Sequence, residues 1–207
     1  MTDKAVIFDF DGTLADTFSL SVDIFYRLKP QPVLLPKKEV DRLRGMAMAE
    51  VVRELNIKWW EMPILLFRGK RMMAKRIHEA EMILGMDEVV KELHKKGYSL
   101  HVLSSNTPHN IRRLLTEHNL LQYFSTIQGN AKLHGKAKTL RKHREKRGGS
   151  AESVTYIGDE VRDVRAAQAA GVQMIAVSWG YNNLHALNES APDHLVMEPD
   201  KILAILT

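Results

Sequence analysis

Carboxylates stand at two places where the sequence predicts that a buried strand ends. In VIFDFDGTLADT, residues 5–8 read as a strand with apolar side chains on both faces, typical of a parallel sheet, and Asp9 and Asp11 follow it. Farther along, VTYIGDEVRD places Asp159 and Asp163 after a second such strand. Carboxylates this close repel each other and are costly to desolvate, so stability alone would disfavour them. A divalent cation is the first candidate to neutralise them.

Two further strand ends supply hydroxyl and ammonium groups. LHVLSSNT ends in Ser104, Ser105 and Asn106, and the third strand is followed by a loop and Lys136. Because ligands of open parallel sheets bind beyond the carboxyl ends of the strands, we expect the four clusters to converge. Carboxylate oxygens suit Mg²⁺, a hydroxyl and a lysine suit phosphoryl oxygens, and a carboxylate is a competent nucleophile at phosphorus. The residues therefore predict magnesium-dependent phosphoryl chemistry.

The elements that must position these residues alternate along most of the chain. Helical patterns separate five predicted strands and a weaker sixth, at 5–8, 99–103, 126–128, 154–157, 173–177 and 194–197. Such alternation implies an α/β protein with a parallel sheet and right-handed crossovers. Residues 15–84 break the alternation with helical stretches and a proline-marked loop but no convincing strand, so we expect a helical insertion after the first strand.

Composition excludes several classes of function. The 207 residues contain no cysteine, which excludes disulfides, thiolate zinc sites and a cysteine nucleophile. The net charge of +5 comes mostly from residues 132–149, which have no aromatic residue for stacking bases and read as a solvated helix face. Apolar runs are too short for a bilayer, and no leader precedes the first strand. We expect a cytoplasmic monomer or homodimer with no nucleic-acid or membrane partner.

The ordered motifs DFDGT, LSSN, a lysine and GDEVRD resemble those of the haloacid dehalogenase-like (HAD) superfamily, and the nearest branch is phosphoglycolate phosphatase-like. The resemblance covers nearly the whole chain. It implies a three-layer Rossmann-like parallel sheet core with a small all-helical C1 cap inserted after the first strand. We expect the core to comprise residues 1–14 and 85–207 and the cap to comprise residues 15–84.

The resemblance also implies roles for the four aspartates. Asp9 would be the nucleophile and a Mg²⁺ ligand. Asp11 would protonate the leaving-group oxygen and then deprotonate the attacking water, while its backbone carbonyl binds the metal. Asp159 would complete the metal shell, and Asp163 would bind or orient the metal through water.

The remaining motif residues would contact the substrate. Ser105, with Asn106 beside it, would bind the phosphoryl oxygens, although Ser104 is an alternative. Lys136 would steady the nucleophile and the phosphate. Two other lysines lie close enough in sequence to take its place, Lys132 and Lys138.

The expected cap offers weaker signals. Arg44 in RLRGMAMAE resembles an arginine that many C1 caps present toward the active site, where it could bind an anionic group of the substrate. A surface arginine at a helix end is the alternative. Trp59 and Trp60 read as residues packed inside the cap or between cap and core.

The resemblance implies a Mg²⁺-dependent phosphatase, related to phosphoglycolate phosphatases, that hydrolyses a small phosphorylated metabolite through an aspartyl phosphate. A phosphomutase of the same superfamily and a non-catalytic binding module are the alternatives. A dehalogenase is disfavoured because such enzymes need no metal and generally lack the second aspartate of the first motif, which is Asp11 here.

Overall fold

The computed structural model describes residues 4–28, 36–44, 46, 48–54 and 57–206. Within them lie eight strands: β1 (Ala5–Phe8), β2 (Ala15–Asp16), β3 (Glu81–Met82), β4 (Ser99–Leu103), β5 (Phe124–Gln128), β6 (Val154–Gly158), β7 (Gln173–Val177) and β8 (His194–Val196). The same residues form ten α-helices: α1 (Thr17–Arg27), α2 (Lys37–Arg44), α3 (Met48–Glu54), α4 (Met62–Arg76), α5 (Met86–Lys95), α6 (Pro108–Glu117), α7 (Leu133–Glu145), α8 (Val161–Ala170), α9 (Leu184–Glu189) and α10 (Asp200–Leu206). Across this part of the chain, none of the helices combines the length and apolar character needed to cross a membrane.

Six strands form one parallel sheet in the order β5-β4-β1-β6-β7-β8. The central strand β1 is buried on both faces because its side chains alternate between two hydrophobic layers. Val6 and Phe8 pack with residues of α5 and α6, whereas Ala5 and Ile7 pack with residues of α7 and α8. Helices therefore cover both faces of the sheet, and the expected three-layer Rossmann-like α/β fold with a helical cap after the first strand is confirmed.

The inner strands match their predicted bounds better than the edge strand β5 does. The predictions at 5–8, 99–103 and 173–177 agree with β1, β4 and β7, whereas β5 begins at Phe124 rather than at residue 126. β5 lies at the edge of the sheet, and three of its five residues are exposed. An exposed edge strand carries little hydrophobic periodicity, so its start is poorly marked in the sequence.

A two-stranded antiparallel ladder joins the two ends of the helical interval, the segment that contains α1 to α4. β2 pairs with β3 through Ala15 opposite Met82 and Asp16 opposite Glu81, and α1 to α4 lie between these strands. The sequence reading found no strand within residues 15–84, because two-residue strands are too short to show a period. The exact cap boundaries stay a prediction.

The prediction that Trp59 and Trp60 pack inside the cap is wrong. Their exposed fractions are 80% and 56%, and they contact each other edge to face ahead of α4. The side chains of α4 that pack on the core include Leu65, Met72 and Met73, whereas the two tryptophans precede this helix.

Candidate active site

A tight turn after β1 sets the positions of Asp9 and Asp11. The backbone N–H of Asp9 donates to the carbonyl of Ile157 at 2.8 Å, so Asp9 continues the ladder with β6. At Gly12 the backbone has a φ of +74°, which favours glycine. A Cβ at Gly12 would also lie 2.3 Å from a carboxylate oxygen of Asp159. The turn therefore needs glycine both for its conformation and for close contact with the next strand end.

Lys136 bridges two strand ends from the first turns of α7. Its ammonium donates to Asp9 Oδ2 at 2.6 Å, to Asp163 Oδ1 at 2.7 Å and to the Tyr156 hydroxyl at 2.9 Å. Burial lowers the pKa of Lys136, but Asp9 and Asp163 raise it more, so the pKa lies above its ordinary value. The lysine is therefore a permanent buried cation between two carboxylates.

Asp159 lies beyond the end of β6 and is fully buried. Its two oxygens accept hydrogen bonds from the Thr13 hydroxyl at 2.8 Å and from the backbone N–H of Tyr181 at 2.7 Å. Burial and the nearby Asp163 raise the pKa of Asp159 well above its ordinary value. The carboxylate is fixed in place at a location where its negative charge is unfavourable without further neutralisation.

The buried carboxylates fit a divalent cation. One oxygen from each of Asp9, Asp159 and Asp163 lies within 4.8 Å of the others. When ionised, these three carboxylates together with the Lys136 ammonium leave two negative charges, which a divalent ion would balance. An oxygen-only donor set of this kind suits a hard cation such as Mg²⁺.

Asp163 and Glu160 form a capping box at the start of α8. A Cβ at Gly158 would lie 2.8 Å from the Cβ of Asp163, so glycine permits the close approach of strand and helix. Glu160 pairs with Arg162. Burial raises the pKa of Glu160 to about 7 even though Arg162 opposes the shift. The helix start therefore holds Asp163 rigidly beside Lys136.

Asp11 occupies a different environment from Asp9. Asn106 donates its side-chain amide to Asp11 Oδ1 at 2.8 Å, and the Ser104 hydroxyl lies 3.4 Å from Oδ2. Burial and then Asp9 raise the pKa of Asp11 to about 6, although hydrogen bonds from Asn106 and Thr17 lower it. A carboxyl group with this pKa can exchange a proton near neutral pH, as an acid–base catalyst must.

The structure brings most of the sequence-predicted residues together. Asp9, Asp159, Asp163 and Lys136 form one buried cluster, and Asn106 contacts Asp11 beside it. Lys132 and Lys138 are exposed, as is Ser105 at the end of β4. The Arg44 side chain lies outside the described part of the structure.

Two tyrosines at the site were missed by sequence reasoning. Tyr156 looks like an ordinary strand residue, yet its buried hydroxyl donates to Asp163 at 3.0 Å and accepts from Lys136. A buried phenol needs a polar partner, which was the available signal. Tyr181 follows β7, and the rule that ligands bind beyond strand ends would have indicated it if applied to that strand.

Fold and site together define an α/β enzyme with a carboxylate and lysine centre at the carboxyl edge of its sheet. The chain belongs to the haloacid dehalogenase-like hydrolase family, whose model matches residues 6–177. It is 32% identical over 206 residues to a phosphoglycolate phosphatase from Synechococcus elongatus, covering 99% of this chain and 97% of that protein. This confirms the phosphoglycolate phosphatase-like branch and an enzyme of the phosphatase type.

Two further matches extend over the full length of the chain. A pyrophosphatase PpaX from Oceanobacillus iheyensis is 24% identical over 214 residues, covering 100% of this chain and 98% of that protein. A haloacid dehalogenase-like hydrolase from Streptococcus pneumoniae superposes with a TM-score of 0.78 at 23% identity, and the match covers 100% of both chains. The structural match supports the fold.

Proposed function

We propose that the chain is a Mg²⁺-dependent phosphatase that hydrolyses a small phosphomonoester through a phosphorylated Asp9. The observation that carries the proposal is the buried cluster in which Lys136 bridges Asp9 and Asp163, while one oxygen each of Asp9, Asp159 and Asp163 lies within 4.8 Å of the others. A cluster built for stability alone would not gather three carboxylates and a single ammonium group in a buried position.

The metal would be held by the carboxylates of Asp9, Asp159 and Asp163 and by the backbone carbonyl of Asp11. When bound, Mg²⁺ supplies charge neutralisation for the carboxylates and for the phosphoryl oxygens. Thr13 and the backbone of Tyr181 hold Asp159 in position to serve as a ligand.

In the first half-reaction, Asp9 attacks phosphorus in line, and an aspartyl–phosphate bond forms as the bond to the alcohol oxygen breaks. Asp11 donates its proton to the departing oxygen. Lys136, Ser105 and Asn106 would bind the phosphoryl oxygens. Lys136 already holds Asp9 at 2.6 Å, so the nucleophile is oriented before substrate binds.

In the second half-reaction, Asp11 takes a proton from water, and the water oxygen attacks phosphorus. The aspartyl–phosphate bond breaks, phosphate leaves and the Asp9 carboxylate is restored. The pKa of Asp11, raised to about 6, suits a group that must both donate and accept a proton. In this proposal, the cap of residues 15–84 closes over the site and excludes bulk water.

The relatives suggest the substrate class. Phosphoglycolate is the first candidate because of the similarity to the Synechococcus elongatus enzyme, and Arg44 of the cap would bind the carboxylate of such a substrate. Pyrophosphate is the second candidate because the PpaX enzyme matches the chain over its full length; it is a phosphoanhydride and not a monoester, so phosphate and not an alcohol would then leave in the first half-reaction.

The first test measures phosphate release from phosphoglycolate, pyrophosphate and sugar phosphates, with and without Mg²⁺. We expect Mg²⁺-dependent turnover in the native chain and a loss of about 10³-fold or more in Asp9→Asn, because the nucleophile is removed. The matched control is Asp87→Asn, which removes a carboxylate on α5 that forms a surface ion pair with Lys91.

Turnover that survives in a folded Asp9→Asn variant would rule out the nucleophile assignment. A bisphosphate that activates the enzyme, together with slow net release of phosphate, would indicate the mutase alternative. If the protein binds Mg²⁺ but releases no phosphate from any of these substrates, the result would favour a non-catalytic binding module.

A further inference from the structure

The loop after β7 contacts both the metal carboxylate and the turn that carries the aspartates. The backbone N–H of Tyr181 donates to Asp159 at 2.7 Å, and a Cβ at Gly180 would lie 2.2 Å from the same carboxylate. Trp179 donates its indole N–H to the carbonyl of Thr13 at 3.2 Å. This loop is therefore closely packed on Asp159.

The side chain of Tyr181 extends in another direction, to the first helix of the expected cap. Its hydroxyl lies 3.1 Å from the Thr17 hydroxyl and 3.0 Å from the Ser21 hydroxyl. Its ring packs edge to face on Phe18, with 5.2 Å between the ring centroids. Thr17, Phe18 and Ser21 lie in the first two turns of α1, directly after the short ladder that joins the helical interval to the core.

Tyr181 is well suited to link the position of α1, which its hydroxyl contacts, to the position of Asp159, which its backbone N–H contacts. An aromatic side chain has two rotatable bonds, so it connects backbone to hydroxyl with little freedom. The ring is also confined on a third side, because a Cβ at Gly12 would lie 2.7 Å from one of its carbons. A displacement of α1 would therefore act on the backbone that holds Asp159.

We propose that Tyr181 is a positioning residue that couples α1 to Asp159, so that the placement of the cap helix and the affinity of the site for its cation depend on each other. This inference rests on the proposed Mg²⁺ site. Coupling between two sites is reciprocal, so a cation that fixes Asp159 must also restrain α1 by the same free energy.

The test measures hydrogen exchange of α1 in the metal-free protein and after addition of Mg²⁺, with no substrate present. Tyr181→Phe keeps the ring and the backbone N–H and removes only the hydroxyl contacts. We expect Mg²⁺ to slow exchange in α1 of the native chain, and we expect this slowing to disappear in Tyr181→Phe. Calorimetric titration should show a Mg²⁺ dissociation constant raised about threefold to tenfold in the variant.

Two further variants complete the design. Ser21→Ala removes one hydroxyl contact at the other end of the connection and should reduce the Mg²⁺-dependent slowing. Tyr98→Phe is the control. It removes a tyrosine hydroxyl that donates to the carbonyl of Leu206, remote from the site, and it should leave the Mg²⁺-dependent slowing of exchange in α1 unchanged.

The outcomes separate the inference from the proposed function. Equal Mg²⁺ affinity and equal slowing in the native chain and Tyr181→Phe would overturn the inference and leave the Mg²⁺ site standing. Failure of the native chain to bind Mg²⁺ would overturn both. A role for the hydroxyl in stability alone would speed exchange with and without Mg²⁺ by the same factor, and that result would also contradict the coupling.

Discussion

Two clusters of similar composition lie in different parts of the molecule, one at the carboxyl edge of the main sheet and one among the helices between β2 and β3. In the core, Lys136 bridges Asp9 and Asp163 at 2.6 and 2.7 Å, and the lysine is 2% exposed. In the helical interval, Arg76 at the end of α4 bridges Asp23 of α1 at 2.6 Å and Glu79 at 2.5 Å, with 21% of its side chain exposed. In each cluster a cation bridges two carboxylates, although Asp23 also pairs with Arg27 at 2.7 Å, and only the first cluster is removed from water.

The difference in burial gives the two clusters different roles. Removing charges from water costs several kcal/mol per ion, so the core cluster is a poor device for stability and a good one for holding reactive groups. The Arg76 cluster remains partly hydrated, so separating its charged groups changes the free energy of the protein only slightly. A partly hydrated contact can separate at little cost in free energy, whereas a buried one holds the carboxylate of Asp9, the proposed nucleophile, in a fixed position.

The largest effect should follow from loss of the core cation. Lys136→Met keeps most of the unbranched side chain but removes the ammonium group, which leaves Asp9 and Asp163 without their shared cation. We expect this change to destabilise the metal-free protein by about 3–5 kcal/mol, the usual result of removing one partner of a buried pair. Denaturant unfolding in the presence of a chelator measures the change, and a loss below about 1 kcal/mol would show that the cluster is more hydrated than the structure indicates.

A smaller effect should appear in the dependence of stability on pH. The pKa of Asp11 rises from 3.8 to about 6 on folding, so the unfolded chain gives up this proton more readily than the folded protein. The protonated Asp11 carboxyl group therefore stabilises the folded protein fully below about pH 4. This contribution to the unfolding free energy, about 2–3 kcal/mol, is lost as the pH rises through 6.

The test compares the unfolding free energies of the native chain and Asp11→Asn from pH 4 to pH 7.5 without metal. We expect the unfolding free energy of the native chain to fall relative to that of Asp11→Asn as the pH rises, because the asparagine cannot titrate. A constant difference across this range would contradict the raised pKa of Asp11 and weaken its assignment as acid and base.

The sequence was sufficient for the central strands and the residues at their ends. Strands β1 and β6 are buried on both faces, so their apolar runs and the carboxylates that end them are unmistakable. By contrast, β2 and β3 are too short to carry a period, and Trp59 and Trp60 were misread because hydrophobicity alone does not say which face of a weakly packed helical region is covered.

The partners of the site residues could not be predicted for a different reason. The contact of Asp159 with Tyr181 and that of Asp163 with Tyr156 join separate strand ends, and only the folded sheet brings them together. Lys136 could be chosen over Lys138 only with α7 in place, because residues two apart on a helix point in nearly opposite directions.

The smallest effect should come from the exposed counterpart of the core cluster. Arg76→Gln removes the cation that bridges Asp23 and Glu79; Asp23 keeps its ion pair with Arg27, and Glu79 can be hydrated by water. We expect a loss of less than about 1 kcal/mol in unfolding free energy, reduced further by salt, because partly exposed ion pairs contribute little and are screened. Lys136→Met is measured under the same conditions for comparison. If Arg76→Gln lost as much unfolding free energy as Lys136→Met, the two clusters would contribute equally to stability. Helix α4 would then be held as firmly as the buried carboxylate and lysine cluster.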